Sequence, residues 1–116
     1  MKVRNADGAL VDLREFARGQ RCQVWLPGCL DPDRSTVILA HLRRANVAGV
    51  GQKPPDLIGV HACHACHRVI DGVRDVGLTR HEIDTNLFFA LIRTLKVVSD
   101  AEVRMEGIGF YTGETK

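Results

Sequence analysis

The chain has 116 residues, 45% of them hydrophobic and 26% charged, which are ordinary values for one globular domain and exclude wholesale disorder or a fibrous repeat. Its apolar runs are too short to cross a membrane, and the first twenty residues lack the apolar block of a secretory signal, so we expect a cytoplasmic protein. Sixteen basic against fourteen acidic residues give a net charge of +2, too weak by itself to indicate a nucleic-acid partner.

The first half of the chain predicts short elements separated by turns. Residues 1–9 are polar, and we expect them to be frayed. A short helix is predicted over 12–18, ended by Gly19, and the β-branched stretch 36–42 predicts a strand. Residues 43–55 hold glycines and two prolines, which predicts a long loop before a second strand over 56–61.

The second half predicts two helices. The first begins at Cys66 and is ended by Gly72. The second begins with Thr79 as N-cap, with Glu82 completing a capping box. A buried face is predicted by apolar residues at helical spacing, namely Ile83, Leu87, Ala90, Leu91, Leu95 and Val98. Phe88 and Ile92 lie off this stripe and could pack on the domain or on a second copy, and the tail from 101 could form a strand.

Four cysteines form two close pairs with metal-ligand spacing. Cys22 and Cys29 make a C-x6-C pair, and Cys63 and Cys66 make a C-x2-C pair. A reducing compartment disfavours disulfides, so this pattern predicts a four-cysteine structural zinc site that would stabilise a small core. Two other interpretations are weaker. The cysteines could be free thiols, or residues 63–67 could be the C-x-x-C-H pattern of haem attachment, which requires export and leaves the first pair unexplained.

Four polar residues between and after the cysteine pairs suggest chemistry. His41 closes the first predicted strand and Asp56 begins the second. His67 and Asp71 are four residues apart on a helix, so they share a face and could hold one divalent cation. If zinc clamps the hairpin to this helix, His41 faces the same cleft. Alternatively, His67 could be a spare zinc ligand and Asp71 could only cap the helix.

A local basic surface is predicted beside His41. No acidic residue occurs over 35–55, whereas Arg43, Arg44 and Lys53 are present. These side chains are candidates for phosphate contacts, which strengthen binding to nucleic acid but discriminate little between base sequences. A solvated loop would show the same composition.

These residues carry a resemblance to a known family. The stretches RCQVWLPGC, VILAHLRR, KPPDLIGV and HACHACHRVID together are similar to HNH, or ββα-metal, endonucleases, especially the YbcO-like family of small prophage-encoded nucleases. The resemblance covers about 12–98, the core of a single domain over 1–116. It implies an α+β fold of treble-clef or ββα-metal type, with a zinc-stapled β-hairpin packed on helices and a C-terminal helix.

The resemblance also implies roles for individual residues. His41 corresponds to the general base, and Asp56 stands where the central asparagine is usual. His67 and Asp71 correspond to the ligands of a catalytic Mg²⁺ or Mn²⁺, and the four cysteines to a structural zinc site. The implied activity is hydrolysis of phosphodiester bonds in DNA, duplex or branched, with RNA as a further possibility.

Two departures from the HNH pattern affect the metal site. Ala40 stands where many of these enzymes have a metal ligand before the base, and an ionised Asp56 cannot donate a hydrogen bond as asparagine can. A second class of function therefore stays open, a non-catalytic zinc-binding module for nucleic acid or a protein partner. The set His41, His67 and Asp71 discriminates the two, because a binding module does not need it.

Overall fold

The computed structural model describes residues 2–4, 7–43 and 54–101. Within these residues, two antiparallel two-stranded sheets and three helices follow one another along the chain. They are β1 (Lys2–Arg4), β2 (Leu10–Asp12), α1 (Leu13–Ala17), β3 (Ile38–His41), β4 (Gly59–Ala62), α2 (His64–Ile70) and α3 (Arg80–Asp100). The predicted α+β class with a hairpin and a long final helix is confirmed.

The N-terminal segment differs from the expectation of a frayed end. β1 pairs antiparallel with β2, with Lys2 opposite Asp12 and Arg4 opposite Leu10. The turn between them contains Gly8 at a φ of +83°, a backbone conformation that glycine adopts without strain. The prediction over 1–9 was wrong for residues 2–4, because backbone pairing within a hairpin orders a segment whose composition is polar.

The helix α1 follows β2 directly and matches the predicted one. The Asp12 carboxylate accepts a hydrogen bond from the backbone N–H of Arg14 at 2.9 Å and so caps the helix. Leu13 and Ala17 are buried, while Arg14 and Arg18 point to solvent on the other face. The helix thereby presents two arginines one turn apart.

The hairpin of β3 and β4 lies at the centre of the described fold. Every residue of β4 is buried, because α2 and α3 both contact this strand. His41 lies opposite Gly59 in the register. A Cβ atom at Gly59 would lie 2.9 Å from Leu39 Cδ1 and 3.1 Å from the backbone oxygen of Ala40, so glycine permits the strands to approach here.

The second strand begins later than predicted, which moves Asp56 out of it. The backbone N–H of Ile58 donates to Pro55 O at 2.9 Å, closing a turn that includes Asp56 and Leu57. The strand therefore starts at Gly59, and the placement of Asp56 at its first residue was wrong. A carboxylate in a turn can reach across to the neighbouring strand, as Asp56 does.

The helix α2 also begins earlier than predicted. Cys63 is its N-cap, and the backbone N–H of His67 donates to Cys63 O at 2.9 Å. The C-x-x-C segment is thus itself the first turn of the helix. Gly72, at a φ of +75°, follows the C-cap residue Asp71 and ends the helix as predicted.

The helix α3 confirms the sequence signals for its start and its buried face. Thr79 and Glu82 form the capping box, with bonds of 3.1 and 2.8 Å. Its fully buried residues are Leu87, Ala90, Thr94 and Val98. The off-stripe residue Phe88 is 61% exposed.

No helix among the described residues is both long and apolar enough to cross a membrane. The strand considered for the tail lies outside the described residues.

Candidate active site

The four cysteines form one compact cluster at the junction of the hairpin and α2. Cys63 and Cys66 come from the start of α2, while Cys22 and Cys29 come from the loop after α1. The four Sγ atoms all lie within 4.8 Å of one another, and those of Cys29 and Cys63 are 3.9 Å apart. Four sulfurs at about 2.3 Å from a tetrahedral zinc ion would be about 3.8 Å apart, so the cluster fits this ion.

Local backbone structure positions the first pair. The backbone N–H of Cys29 donates to Leu26 O at 2.9 Å, closing a turn in which Gly28 has a φ of +84°. The Arg74 guanidinium covers this turn and donates to Pro27 O at 2.6 Å. Glycine is favoured at position 28 by this backbone conformation, and a Cβ there would lie 2.9 Å from the guanidinium, so the Arg74 side chain would have to shift.

The charge state of the cluster also favours a cation. A hydrogen bond with the Cys66 thiol lowers the pKa of Cys22 to about 4, and the same bond raises the pKa of Cys66. The Cys66 thiol thus resists ionisation, because its hydrogen bond to the Cys22 thiolate and its burial both favour the protonated form. A divalent metal ion would remove that resistance and is what allows several thiolates in one small volume.

Trp25 covers the first cysteine pair from outside. Its indole N–H donates to Cys22 O at 2.7 Å, and the Arg93 guanidinium of α3 stacks 4.0 Å from the centre of its ring. Arg93 is itself held by two hydrogen bonds to Gln23 O, at 2.6 and 3.0 Å. The ring is half-exposed, so it lies at the surface beside the Cys22 backbone and not in the core.

A cleft of about 440 Å³ opens between α1, β3 and α2. Three of the residues that the sequence predicts for catalysis line it, namely His41, His67 and Asp71. The predicted phosphate contact Arg43 lines it too, whereas Arg44 and Lys53 lie outside the described residues. The tertiary structure therefore brings the candidate base and the candidate metal ligands to one surface.

Asp56 does not line this cleft but holds His41 from behind. His41 Nε2 lies 2.6 Å from Asp56 Oδ1, and only 10% and 9% of the two side chains are exposed. Arg14 Nε lies 3.9 Å from the same oxygen. Burial raises the pKa of the Asp56 carboxyl, but hydrogen bonds to its charged form, including that with His41, outweigh burial, so the pKa lies below its usual range.

His67 and Asp71 meet one turn apart on α2, as their spacing predicts. His67 Nε2 lies 3.2 Å from Asp71 Oδ2, and half of the Asp71 side chain is exposed. His67 is not part of the cysteine cluster, which consists of four sulfurs. Both side chains line the cleft.

Sequence reasoning missed two residues around this site, Arg14 and His61. Arg14 lines the cleft together with Arg18, and the spacing of four between the two arginines was the available signal. His61 is 1% exposed and packs against the Phe16 ring at a centroid distance of 5.9 Å. Burial lowers the pKa of His61 to about 4, and its Nδ1 has no hydrogen-bond partner within the described residues. Nothing in the local pattern distinguishes His61 from the exposed histidines His64 and His81.

The fold and the cluster define a small α+β protein with four cysteines that can hold one metal ion. The family model described as "Putative nuclease YbcO" matches residues 11–103, and the chain belongs to this family.

Two curated proteins and one solved structure are similar to this chain. "Putative nuclease YbcO" of Escherichia coli (strain K12) and "Putative nuclease ybcO" of Enterobacteria phage 82 are each 50% identical over 62 residues. These matches cover 53% of the chain and 65% of each relative. The "Structure of a putative bacteriophage protein from Escherichia coli str. K-12 substr. MG1655" superimposes with a TM-score of 0.58 at 33% identity, over 75% of this chain and 95% of that one.

Proposed function

We propose that the protein is a metal-dependent endonuclease of the HNH, ββα-metal type that hydrolyses phosphodiester bonds of DNA. The observation that carries this proposal is the cleft in which His41 from β3 meets His67 and Asp71 from α2. Membership of a family named for nuclease activity supports the same conclusion. A domain that only bound nucleic acid would have no use for a carboxylate-held histidine beside a second histidine–carboxylate pair.

His41 is the proposed general base. Its Nε2 is engaged by the Asp56 carboxylate, so a proton on this nitrogen is donated to Asp56 and Nδ1 keeps its lone pair. Nδ1 can then take the proton from a water molecule as the water oxygen attacks phosphorus. Asp56 acts as a positioning residue that holds the His41 ring and its tautomer.

His67 and Asp71 are the proposed ligands of the catalytic cation. Two donor atoms 3.2 Å apart fit adjacent positions of an octahedral ion with bonds of about 2.1 Å. Two protein ligands leave the other positions to water and phosphate oxygens, the usual arrangement for Mg²⁺ and Mn²⁺ at phosphate sites. A cation bound there would neutralise charge on the scissile phosphate and stabilise the leaving 3′ oxygen.

The proposed reaction is an attack of water on phosphorus. The water oxygen forms a bond to phosphorus, the bond between phosphorus and the 3′ oxygen breaks, and the water proton passes to His41 Nδ1. The leaving 3′ oxygen takes a proton from solvent water, and His41 later returns its proton to solvent, so the products carry a 5′-phosphate and a 3′-hydroxyl. The four cysteines would hold a structural zinc ion, which would tie the hairpin to α2.

A plasmid-nicking assay on zinc-loaded protein tests the metal ligands. We expect nicking with added Mg²⁺ or Mn²⁺ and none without, and Asp71→Asn should lower the rate at limiting metal about 10- to 100-fold, with partial recovery at higher metal. Asp100→Asn, which removes the same charge from an exposed Lys96 pair, should nick like the wild type. Equal rates for Asp71→Asn and the wild type at every metal concentration would contradict the assignment.

One observation favours the second candidate function, a non-catalytic zinc-binding module. Ala40, which precedes the proposed base, is buried on the opposite face of β3 from the cleft and supplies no ligand. If the wild type nicks neither DNA nor RNA with any divalent metal yet still binds duplex DNA, this second function replaces the first.

A further inference from the structure

Two arginines at α1, Arg14 within the helix and its C-cap residue Arg18, line the cleft together with His67 and Asp71. Arg14 and Arg18 stand one turn apart, so their side chains project from one face of the helix, and both line the cleft. Their side chains are 53% and 69% exposed. We call this pair the arginine rim.

The acidic groups near the arginine rim offset its charge only in part. Asp56 Oδ1 lies 3.9 Å from Arg14 Nε but 2.6 Å from His41 Nε2, so the contact with His41 is the shorter one. Glu15 lies 3.6 Å from Arg18, but both side chains are mostly exposed, and such surface pairs exchange readily for another anion. Each guanidinium has five N–H donors, so these contacts leave donors for a further acceptor.

We propose that the arginine rim binds the DNA backbone, with successive phosphate groups contacting Arg18 and Arg14. This inference rests on the proposed function for the identity of the substrate. Two guanidinium groups on one helical face, with Arg43 on the same cleft, present a row of positive charge to a linear polyanion. A phosphate on Arg14 would lie beside the Asp56–His41 pair, where the proposed base acts.

The shape of the cleft supports a polymer over a small anion. Its volume of about 440 Å³ is far more than one phosphate group fills, and it is open to solvent. Three of the side chains that line it are arginines, the residue type that binds phosphate groups with two parallel hydrogen bonds. A chain of phosphates therefore fits this cleft better than a single anion does.

Equilibrium binding to a labelled duplex DNA, without added Mg²⁺ or Mn²⁺, tests the arginine rim. Fluorescence anisotropy from about 50 to about 200 mM salt gives the affinity and the slope of log K against log salt. Arg14→Gln and Arg18→Gln should each weaken binding about five- to tenfold near 0.1 M salt and lower the slope by about one. Arg18→Lys, which keeps the charge, should keep the slope.

Arg80→Gln is the matched control, because it removes one charge from an exposed arginine at the start of α3 that does not line the cleft. It should bind like the wild type. Wild-type affinity and slope in both rim variants would overturn the proposal, and so would an equal loss in Arg80→Gln. Circular dichroism and zinc content establish that each variant is folded.

The same proteins in the nicking assay separate the two proposals. If the wild type nicks DNA but the rim variants bind normally, only the arginine rim is wrong. If the rim variants lose affinity and slope while no protein nicks, the rim is supported and the nuclease function fails. A wild type that does not bind duplex DNA overturns the rim, and parallel binding to RNA of the same length then identifies RNA as an alternative ligand.

Discussion

Cys66→Ser is expected to unfold most of the protein and to abolish zinc binding. A structural zinc site contributes about 10–16 kcal/mol of apparent binding free energy at neutral pH, whereas the net stability of a small domain is about 5–15 kcal/mol. Cys66 is fully buried in the main hydrophobic cluster, together with Cys22 and Cys63. Loss of one thiolate therefore removes both the ion and a contact between α2 and the loop after α1.

Metal analysis, circular dichroism and Trp25 fluorescence measure this effect together. The wild type should bind one zinc per chain and melt cooperatively, while Cys66→Ser should bind little zinc and show no cooperative transition. Trp25 is the chain's one tryptophan, and its indole donates to Cys22 O, so its emission should change when the cluster opens. A chelator added to the wild type should reproduce the change, and zinc should reverse it.

Ala65→Ser provides the matched control for this experiment. Ala65 lies between the two cysteines of α2 and is half-buried, so the variant introduces the same hydroxyl without removing a ligand. We expect it to bind zinc and melt near the wild-type temperature. If Cys66→Ser melts like the wild type while lacking zinc, the cluster does not stabilise the fold, and its proposed structural role is wrong.

His41→Ala is expected to lower the nicking rate about 10²- to 10⁴-fold, the usual contribution of a general base. The change removes the imidazole that β3 contributes to the cleft. Asp56 then keeps Arg14, 3.9 Å away, as an ion-pair partner. DNA binding should change much less than the rate, because Arg18 and Arg43 keep their places on the cleft even if Asp56 pairs more closely with Arg14. The loss should therefore appear mainly in the catalytic rate.

Two further variants make the His41 experiment decisive. His81→Ala removes an exposed histidine of α3 outside the cleft and should nick at the wild-type rate. Asp56→Asn keeps an acceptor for His41 but not the charge, so its rate should fall between those of the wild type and His41→Ala. Equal nicking by the wild type and a folded His41→Ala would show that another group is the base or that a contaminant cuts the plasmid.

Residues close in sequence carried the reliable predictions. The capping box of Thr79 and Glu82 and the pairing of His67 with Asp71 each depend on residues three or four positions apart. Helical geometry determines such contacts wherever a helix forms. The cysteine pairs are similar, because short spacing within each pair made the cluster recognisable before the two pairs were brought together.

Contacts between distant segments were decided by the tertiary structure. The turn at 55–58 displaces Asp56 from β4 and lets it reach His41, and the packing of α1 on β3 turns Arg14 and Arg18 towards the cleft. β1 pairs with β2 although its composition is polar. The sequence by itself determined the two cysteine pairs, the start of α3 and the histidine–aspartate pair, since each follows from local geometry. The joining of these parts into one cleft depends on how loops close and helices pack, and no local pattern records that.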